Sequence, residues 1–292
     1  MIRFLFVCLC ALLAWPAQAA MIEVRDDAGQ MLAFARPPQR IISLTPHLTE
    51  LLFAVGAGPQ IVGVDSASDY PPAAQALPRI GDFSRVNFER VLALKPDLVL
   101  VWLDGNRAVD IHGLKKMGVP VLQTRATRLD DVARLLRMLG VATGHEEQGE
   151  AAAKAYRTRL AALQMRNPGQ PPLKVFYQVW DRPLMTVGGA HWISDALQLC
   201  GALNVFADLP GLSPVVSREA VLQRAPEVVV SGSDAPDMRA QWQGFPGLPA
   251  VKRQAFVRID ADRLHRPTPR LVEGVAALCN VLQPAIRHSG QR

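Results

Sequence analysis

The chain has 292 residues, 49% of them apolar and 20% charged, with 21 Gly and 23 Pro, a balance that excludes disordered, collagen-like and short disulfide-scaffold proteins. Lys and Arg total 32 against 26 Asp and Glu, a formal charge of +6. The basic residues are dispersed and are not interleaved with aromatics, so no nucleic-acid partner is expected, and the length suits one large domain or two lobes of roughly 120 residues each.

In chain order, Arg3 leads an apolar stretch from Phe4 to Trp15, and Ala17-Gln18-Ala19 supplies a small-x-small pattern. Together they predict a secretory signal peptide over residues 1–20, cleaved after Ala19 or Ala20. The stretch is shorter than the roughly 20 residues a membrane-spanning helix needs. Cys8 and Cys10 lie inside it and leave with it, so the mature chain is expected to be a soluble monomer in a bacterial periplasm.

Short β-branched runs follow at Arg40–Leu44, Ile61–Val64, Asp97–Val101 and Val119–Leu122, alternating with helical patterns at Leu48–Ala54 and Ala108–Met117. This is βαβ punctuation. Leu129 to Leu139 is amphipathic, with Gly140 and Gly144 as expected breakers, and His145 to Met165 is rich in Ala, Glu, Lys, Arg and Leu. That segment predicts one helix of about 32 Å, ended by Asn167-Pro168-Gly169. Strands then recur at Lys174–Tyr177, Glu227–Val230 and Ala255–Ile259, separated by helices near 193–200, 218–224 and 269–283. The expected fold is α/β: an N-terminal lobe over 38–144, a rigid connecting helix over 145–166 and a C-terminal lobe over 172–288. Both lobes are expected to be Rossmann-like with parallel central sheets.

Cys200 and Cys279 remain after the signal, each within a helical apolar pattern. An even pair in an oxidising compartment favours a disulfide, and two buried thiols are the alternative. The most informative feature is internal: Asn87 to Val99 aligns without gaps on Ser217 to Val229, an offset of 130 residues. Each copy reads as N-cap, first-turn Glu, an apolar pair, then Pro and an acid entering a strand. Singly, Glu89 and Glu219 read as residues complementing a helix dipole. Together they are two carboxylates related by a pseudo-twofold axis, suited to a partner that is itself a symmetric dimer.

Ser43-Leu44-Thr45-Pro46-His47-Leu48-Thr49-Glu50-Leu51, Ser68-Asp69-Tyr70-Pro71-Pro72, the two Glu segments, and Pro269-Arg270 ahead of Cys279-Asn280 carry a family likeness. They resemble the helical-backbone class of periplasmic substrate-binding proteins, and within it the cobalamin-binding components of ABC importers, from about Arg40 to Gln283. The resemblance implies a non-catalytic protein that captures cobalamin and carries no resident cofactor. It also implies a disulfide between Cys200 and Cys279, and docking of Glu89 and Glu219 onto arginines of a dimeric inner-membrane permease.

A corrin is a broad apolar disc with an amide rim, so its site should be a crevice with flat aromatic walls and a few polar groups. Trp102 ends a strand and matches a family pocket tryptophan; Phe83 stands where relatives commonly carry Trp, and Ala67 where a relative has Tyr. Trp180, Gly189 and His191 follow the first strand of the second half, with Gly188-Gly189 expected to allow close backbone approach to a ligand. Asp262, Arg263 and Arg266 are candidates for the amide rim, against a solvated charge cluster. A haem or ferric-siderophore binder of the same fold is the alternative, with His47, His191 or Tyr177 as axial ligand. A zinc or manganese binder needs clustered His and carboxylates, and the six His are scattered, so no metal site is expected. The mature chain also lacks the G-x-S-x-G, H-E-x-x-H and C-x-x-C patterns of common exported hydrolases and redox enzymes.

Overall fold

A computed structural model describes residues 21–289 except Phe83, 164–170 and 233–236. The signal-peptide expectation and the position of Phe83 therefore lie outside the described residues. An antiparallel hairpin of β1 (Ile22–Arg25) and β2 (Met31–Phe34) comes first. The Asp26 carboxylate in its turn accepts from the Gln123 side-chain amide at 2.8 Å, which fastens the hairpin to the N-terminal lobe.

That lobe runs β3 (Ile41–Ser43), α1 (Pro46–Ala54), β4 (Ile61–Val64), a short pair β5 (Gly81–Asp82) and β6 (Arg85–Val86), then α2 (Phe88–Ala93). β7 (Leu98–Trp102), α3 (Ala108–Lys116), β8 (Val121–Thr124) and α4 (Asp131–Thr143) complete it. After α5 (Glu146–Ala161), the C-terminal lobe runs β9 (Leu173–Gln178), the hairpin β10 (Trp180–Asp181) and β11 (Leu184–Met185), α6 (Trp192–Leu199) and β12 (Ala202–Asn204). It continues through α7 (Arg218–Arg224), β13 (Val228–Gly232), α8 (Met238–Trp242), α9 (Pro249–Lys252), β14 (Phe256–Ile259), α10 (Ala261–Leu264) and α11 (Leu271–Ser289).

The two four-stranded sheets are fully parallel, in the orders β4-β3-β7-β8 and β12-β9-β13-β14. Matched strand for strand, these are the same topology. Leu98 to Val101 and Val228 to Val230 are buried throughout, because helices cover both faces of a parallel sheet and leave no solvent side for alternation.

The 130-residue repeat is visible atom by atom. Asn87 Oδ1 accepts from the Arg90 amide at 3.0 Å and Ser217 Oγ from the Ala220 amide at 3.1 Å. The loops that follow turn through Lys95 at φ 45° and Ala225 at φ 46°. Asp97 then accepts from the Arg40 amide at 2.8 Å, and Glu227 from the Lys174 amide at 3.1 Å, pinning each central strand to the start of the lobe's first strand.

One expected breaker behaves differently. Gly140 lies inside α4, which ends instead at Gly144 with φ 77°. A Cβ on Gly140 would meet the Gly149 Cα at 3.0 Å, and one on Gly149 would meet the Leu136 carbonyl oxygen at 2.7 Å. The two glycines let α4 and α5 touch backbone to backbone, so Gly140 serves packing rather than termination. Tyr156 of α5 adds a hydrogen bond from its hydroxyl to the Leu129 carbonyl at 2.8 Å, and one buried apolar cluster continues from α1 and α4 through Tyr156 to α6 and α11. Cys200 and Cys279 are disulfide-bonded and tie the end of α6 to α11.

Candidate functional site

The facing ends of the two lobes bring together residues from the C-terminal ends of strands and the N-terminal ends of helices, where open parallel sheets present ligands. Trp102 is the last residue of β7 and is half-buried. Its backbone amide donates to Asn106 Oδ1 at 2.8 Å, and the Asn106 amide donates to the Leu44 carbonyl at 3.2 Å. The indole lies down over Gly105, where a Cβ would stand 2.0 Å from its Cε3. Here glycine is required so that the ring can fold over its own loop.

Trp102 meets His47 of α1 edge to face at 5.2 Å between centroids, and Trp192 at the start of α6 at 6.5 Å. Trp192 in turn lies 4.0 Å from His191. An aromatic chain therefore crosses from one lobe to the other. Burial holds both His47 and His191 down at about 3, so both rings are neutral near pH 7. His191 Nδ1 accepts from the Ile193 amide at 3.0 Å and caps α6.

Beside this chain lies an ion-pair cluster that joins the lobes. Glu50 of α1, with a side chain only 2% exposed, receives Arg270 through two hydrogen bonds at 2.6 and 2.9 Å and Arg266 at 3.2 Å. Arg266 also pairs with Asp69 at 2.6 Å and Asp262 at 2.8 Å. Burial opposes the Arg266 charge, yet the hydrogen bond to Asp69 and the field of Asp262 raise its pKa above the ordinary arginine value. The hydrogen bond from Arg266 holds the Asp69 carboxyl below the usual range. The Arg270 guanidinium stacks over Tyr70 at 3.8 Å. Asp195 of α6 receives Arg128 at 2.5 Å, a second lobe-to-lobe bridge.

The remaining sequence candidates separate. Trp180 is 58% exposed on the β10–β11 hairpin, its indole N–H donating to the Arg182 carbonyl at 3.0 Å. Arg263 pairs with Asp260 and with Glu273, which also receives Arg159 of α5, so it belongs to the connecting-helix side rather than to the Arg266 cluster. Gly189 faces the Ala207 carbonyl oxygen, 2.1 Å from an added Cβ, and Gly188 that of Gly211 at 2.2 Å; protein backbone occupies the close approach expected for a ligand. Tyr177 shares a hydrogen bond of 2.8 Å with His265 Nε2 and is fully buried. Glu89 and Glu219 are exposed in the first turns of α2 and α7, and hydrogen bonds from its own amide and the Ser217 hydroxyl lower the Glu219 carboxyl. Among the described residues no group of three or more His, Cys, Asp or Glu is placed to hold a metal, and no helix is long and apolar enough to cross a membrane.

Glu50, Asp69, Tyr70 and Arg270 were not singled out as site residues from sequence. Partners more than 190 positions apart leave no periodic or spacing signal.

A model of the family described as periplasmic binding protein matches residues 41–262. The chain is 36% identical over 256 residues to the vitamin B12-binding protein of Vibrio cholerae, covering 87% of this chain and 93% of that one. It is 38% identical over 251 residues to the vitamin B12-binding protein of Pectobacterium carotovorum, covering 84% and 88%. The crystal structure of the periplasmic vitamin B12 binding protein of Vibrio cholerae superposes with a TM-score of 0.76 at 35% identity, over 85% of this chain and 98% of that one. A periplasmic heme-binding protein from Roseiflexus superposes at 0.74 with 25% identity, over 85% and 99%.

Proposed function

This chain belongs to the periplasmic binding protein family, and from that premise we propose that it captures cobalamin between its lobes and delivers it to an ABC-type inner-membrane importer. The observation that carries the reading is the aromatic chain His47–Trp102–Trp192 at the lobe junction, in a protein 36% identical to a vitamin B12-binding relative. A corrin presents flat apolar faces that such rings cover. Trp102, Phe83 and Trp180 are assigned as its aromatic walls. Asp262 and Arg266 are assigned to the amide rim. In this reading the protein is a monomer without catalytic residues or a resident cofactor, cobalamin being cargo, and a signal peptide exports it.

The haem alternative has relatives of the same fold behind it. Of its three axial candidates, Tyr177 is held by His265 and His191 caps a helix, which leaves His47.

Glu89 and Glu219 are assigned to the permease. They stand, exposed, at equivalent first turns of equivalent lobes. The ligand site itself is tested by Trp102→Ala, which is expected to weaken cyanocobalamin binding by about 1–3 kcal/mol. Unchanged affinity in a calorimetric titration would return Trp102 to a packing role.

A further inference from the structure

Five buried side-chain N or O atoms have no hydrogen-bond partner among the described residues: Thr45 Oγ1, His47 Nε2, Gln60 Oε1, Trp102 Nε1 and Thr268 Oγ1. Folded proteins pair the great majority of such atoms, so a concentration of exceptions marks a place shaped to receive a polar group. Gln60 is held by other means, its amide donating to the Pro38 and Thr143 carbonyls at 2.7 and 3.2 Å. The other four belong to segments that meet at the lobe junction. Thr45 and His47 flank the start of the helix that carries Glu50, Thr268 lies between the two arginines that hold Glu50, and Trp102 touches both His47 and Trp192.

Two of these atoms are a complementary pair. The rings of His47 and Trp102 stand 5.2 Å apart at 86°. Indole N–H only donates. A neutral imidazole with its proton on Nδ1 offers a lone pair on Nε2, and burial keeps this imidazole neutral. A carboxylate carries acceptors only, and a hydrocarbon carries neither. A primary carboxamide satisfies both atoms, its oxygen accepting from Trp102 and its N–H donating to His47. The indole N–H lies in the ring plane, so edge bonding leaves the ring face available as a wall. Arg266, whose field reaches His47, is already paired with Glu50, Asp69 and Asp262, so the corner is not arranged to neutralise an anion.

We propose that His47 Nε2 and Trp102 Nε1 form a subsite for one primary carboxamide arm of the ligand, and that this pair selects an amide-rimmed macrocycle over a carboxylate-rimmed one. The proposal rests on the cobalamin reading, since the corrin rim carries primary amides where haem carries propionates.

The test uses the mature chain and its Trp102→Phe, His47→Phe and His47→Gln variants. Each is titrated with cyanocobalamin and with the separated monocarboxylic acids in which one rim amide has been hydrolysed. Trp102→Phe and His47→Phe are each expected to weaken cyanocobalamin binding about five- to tenfold, the worth of one hydrogen bond. His47→Gln, which retains an acceptor, recovers most of the loss. One monocarboxylic isomer binds the unsubstituted chain at least about tenfold more weakly than the amide, and the Trp102→Phe/His47→Phe double variant removes that discrimination. The isomer series on the unsubstituted chain does not depend on how any variant folds. Equal binding of every isomer and the parent amide, or cyanocobalamin affinity unchanged in both Phe variants, overturns the subsite while leaving the cobalamin reading intact. No cobalamin binding by the unsubstituted chain overturns the reading and the subsite with it.

Discussion

His191 shows how a single side chain carries both a structural and a pH-dependent role. Its Nδ1 caps α6, which requires the neutral ring, and burial holds its pKa at about 3 against an ordinary 6.5; the same burial acts on His47. The unfolded chain takes up these protons as pH falls below 6.5, while the folded chain refuses them until about 3. Stability is therefore full above pH 6.5 and drains as pH falls through that window, by about 1.4 kcal/mol per pH unit for each histidine. Chemical denaturation between pH 7 and 5 should show this decline, and His191→Asn, which keeps an acceptor for the cap and removes the titration, should reduce the slope by one histidine's share. An unaltered slope would mean that His191 is not the titrating group. At this scale sequence was informative where the reason was local: Trp102 was legible because it ends an apolar strand, and Asn87 and Ser217 because caps have a spacing. Glu50 was not. A carboxylate in a helix reads as a solvated face, and only the chain's return from the other lobe brings Arg266 and Arg270 onto it.

Among the elements, the α4–α5 contact corrects the plain reading of glycine. Gly140 looked like a helix breaker, and an isolated glycine in a helix does cost about 1 kcal/mol against alanine. The rule is outweighed because Gly140 and Gly149 meet across the helix pair, where a Cβ on either comes within 3.0 Å of backbone atoms that cannot rotate away. Gly149→Ala is accordingly expected to destabilise the protein by about 1–3 kcal/mol, the opposite sign to the gain alanine brings to an open helix. A midpoint in urea that stays level or rises would show that the helices separate freely. The central strands were legible from β-branched runs and punctuation, since a strand buried on both faces has to be continuously apolar. The hairpins β1–β2 and β10–β11 and the edge strand β12 were not, being two to four residues long and without a period to read.

Across the whole molecule, the lobes are joined by non-covalent contacts as well as by the chain itself. Glu50 with its two arginines, Asp195 with Arg128, and an apolar cluster continuous through Tyr156 all couple one lobe to the other. Such contacts favour limited closure, and under the docking proposed above they would keep the spacing between Glu89 and Glu219 fixed for a dimeric partner. The 130-residue repeat made the kinship of the two lobes legible, because the sheet topology recurs strand for strand. Reversing both charges, Glu89→Lys with Glu219→Lys, is expected to abolish uptake and salt-sensitive complex formation with the permease, each lost pair costing about 2–5 kcal/mol once desolvated at the interface. Ligand affinity and melting temperature should stay as they are; normal transport, or lost ligand binding, would refute the docking assignment. The central claim, capture of cobalamin between the lobes, is tested most directly by calorimetric titration of the mature chain with cyanocobalamin and, separately, with haemin. One-to-one saturable binding of cyanocobalamin is the predicted result, and saturable haemin binding with no heat from cyanocobalamin would contradict it.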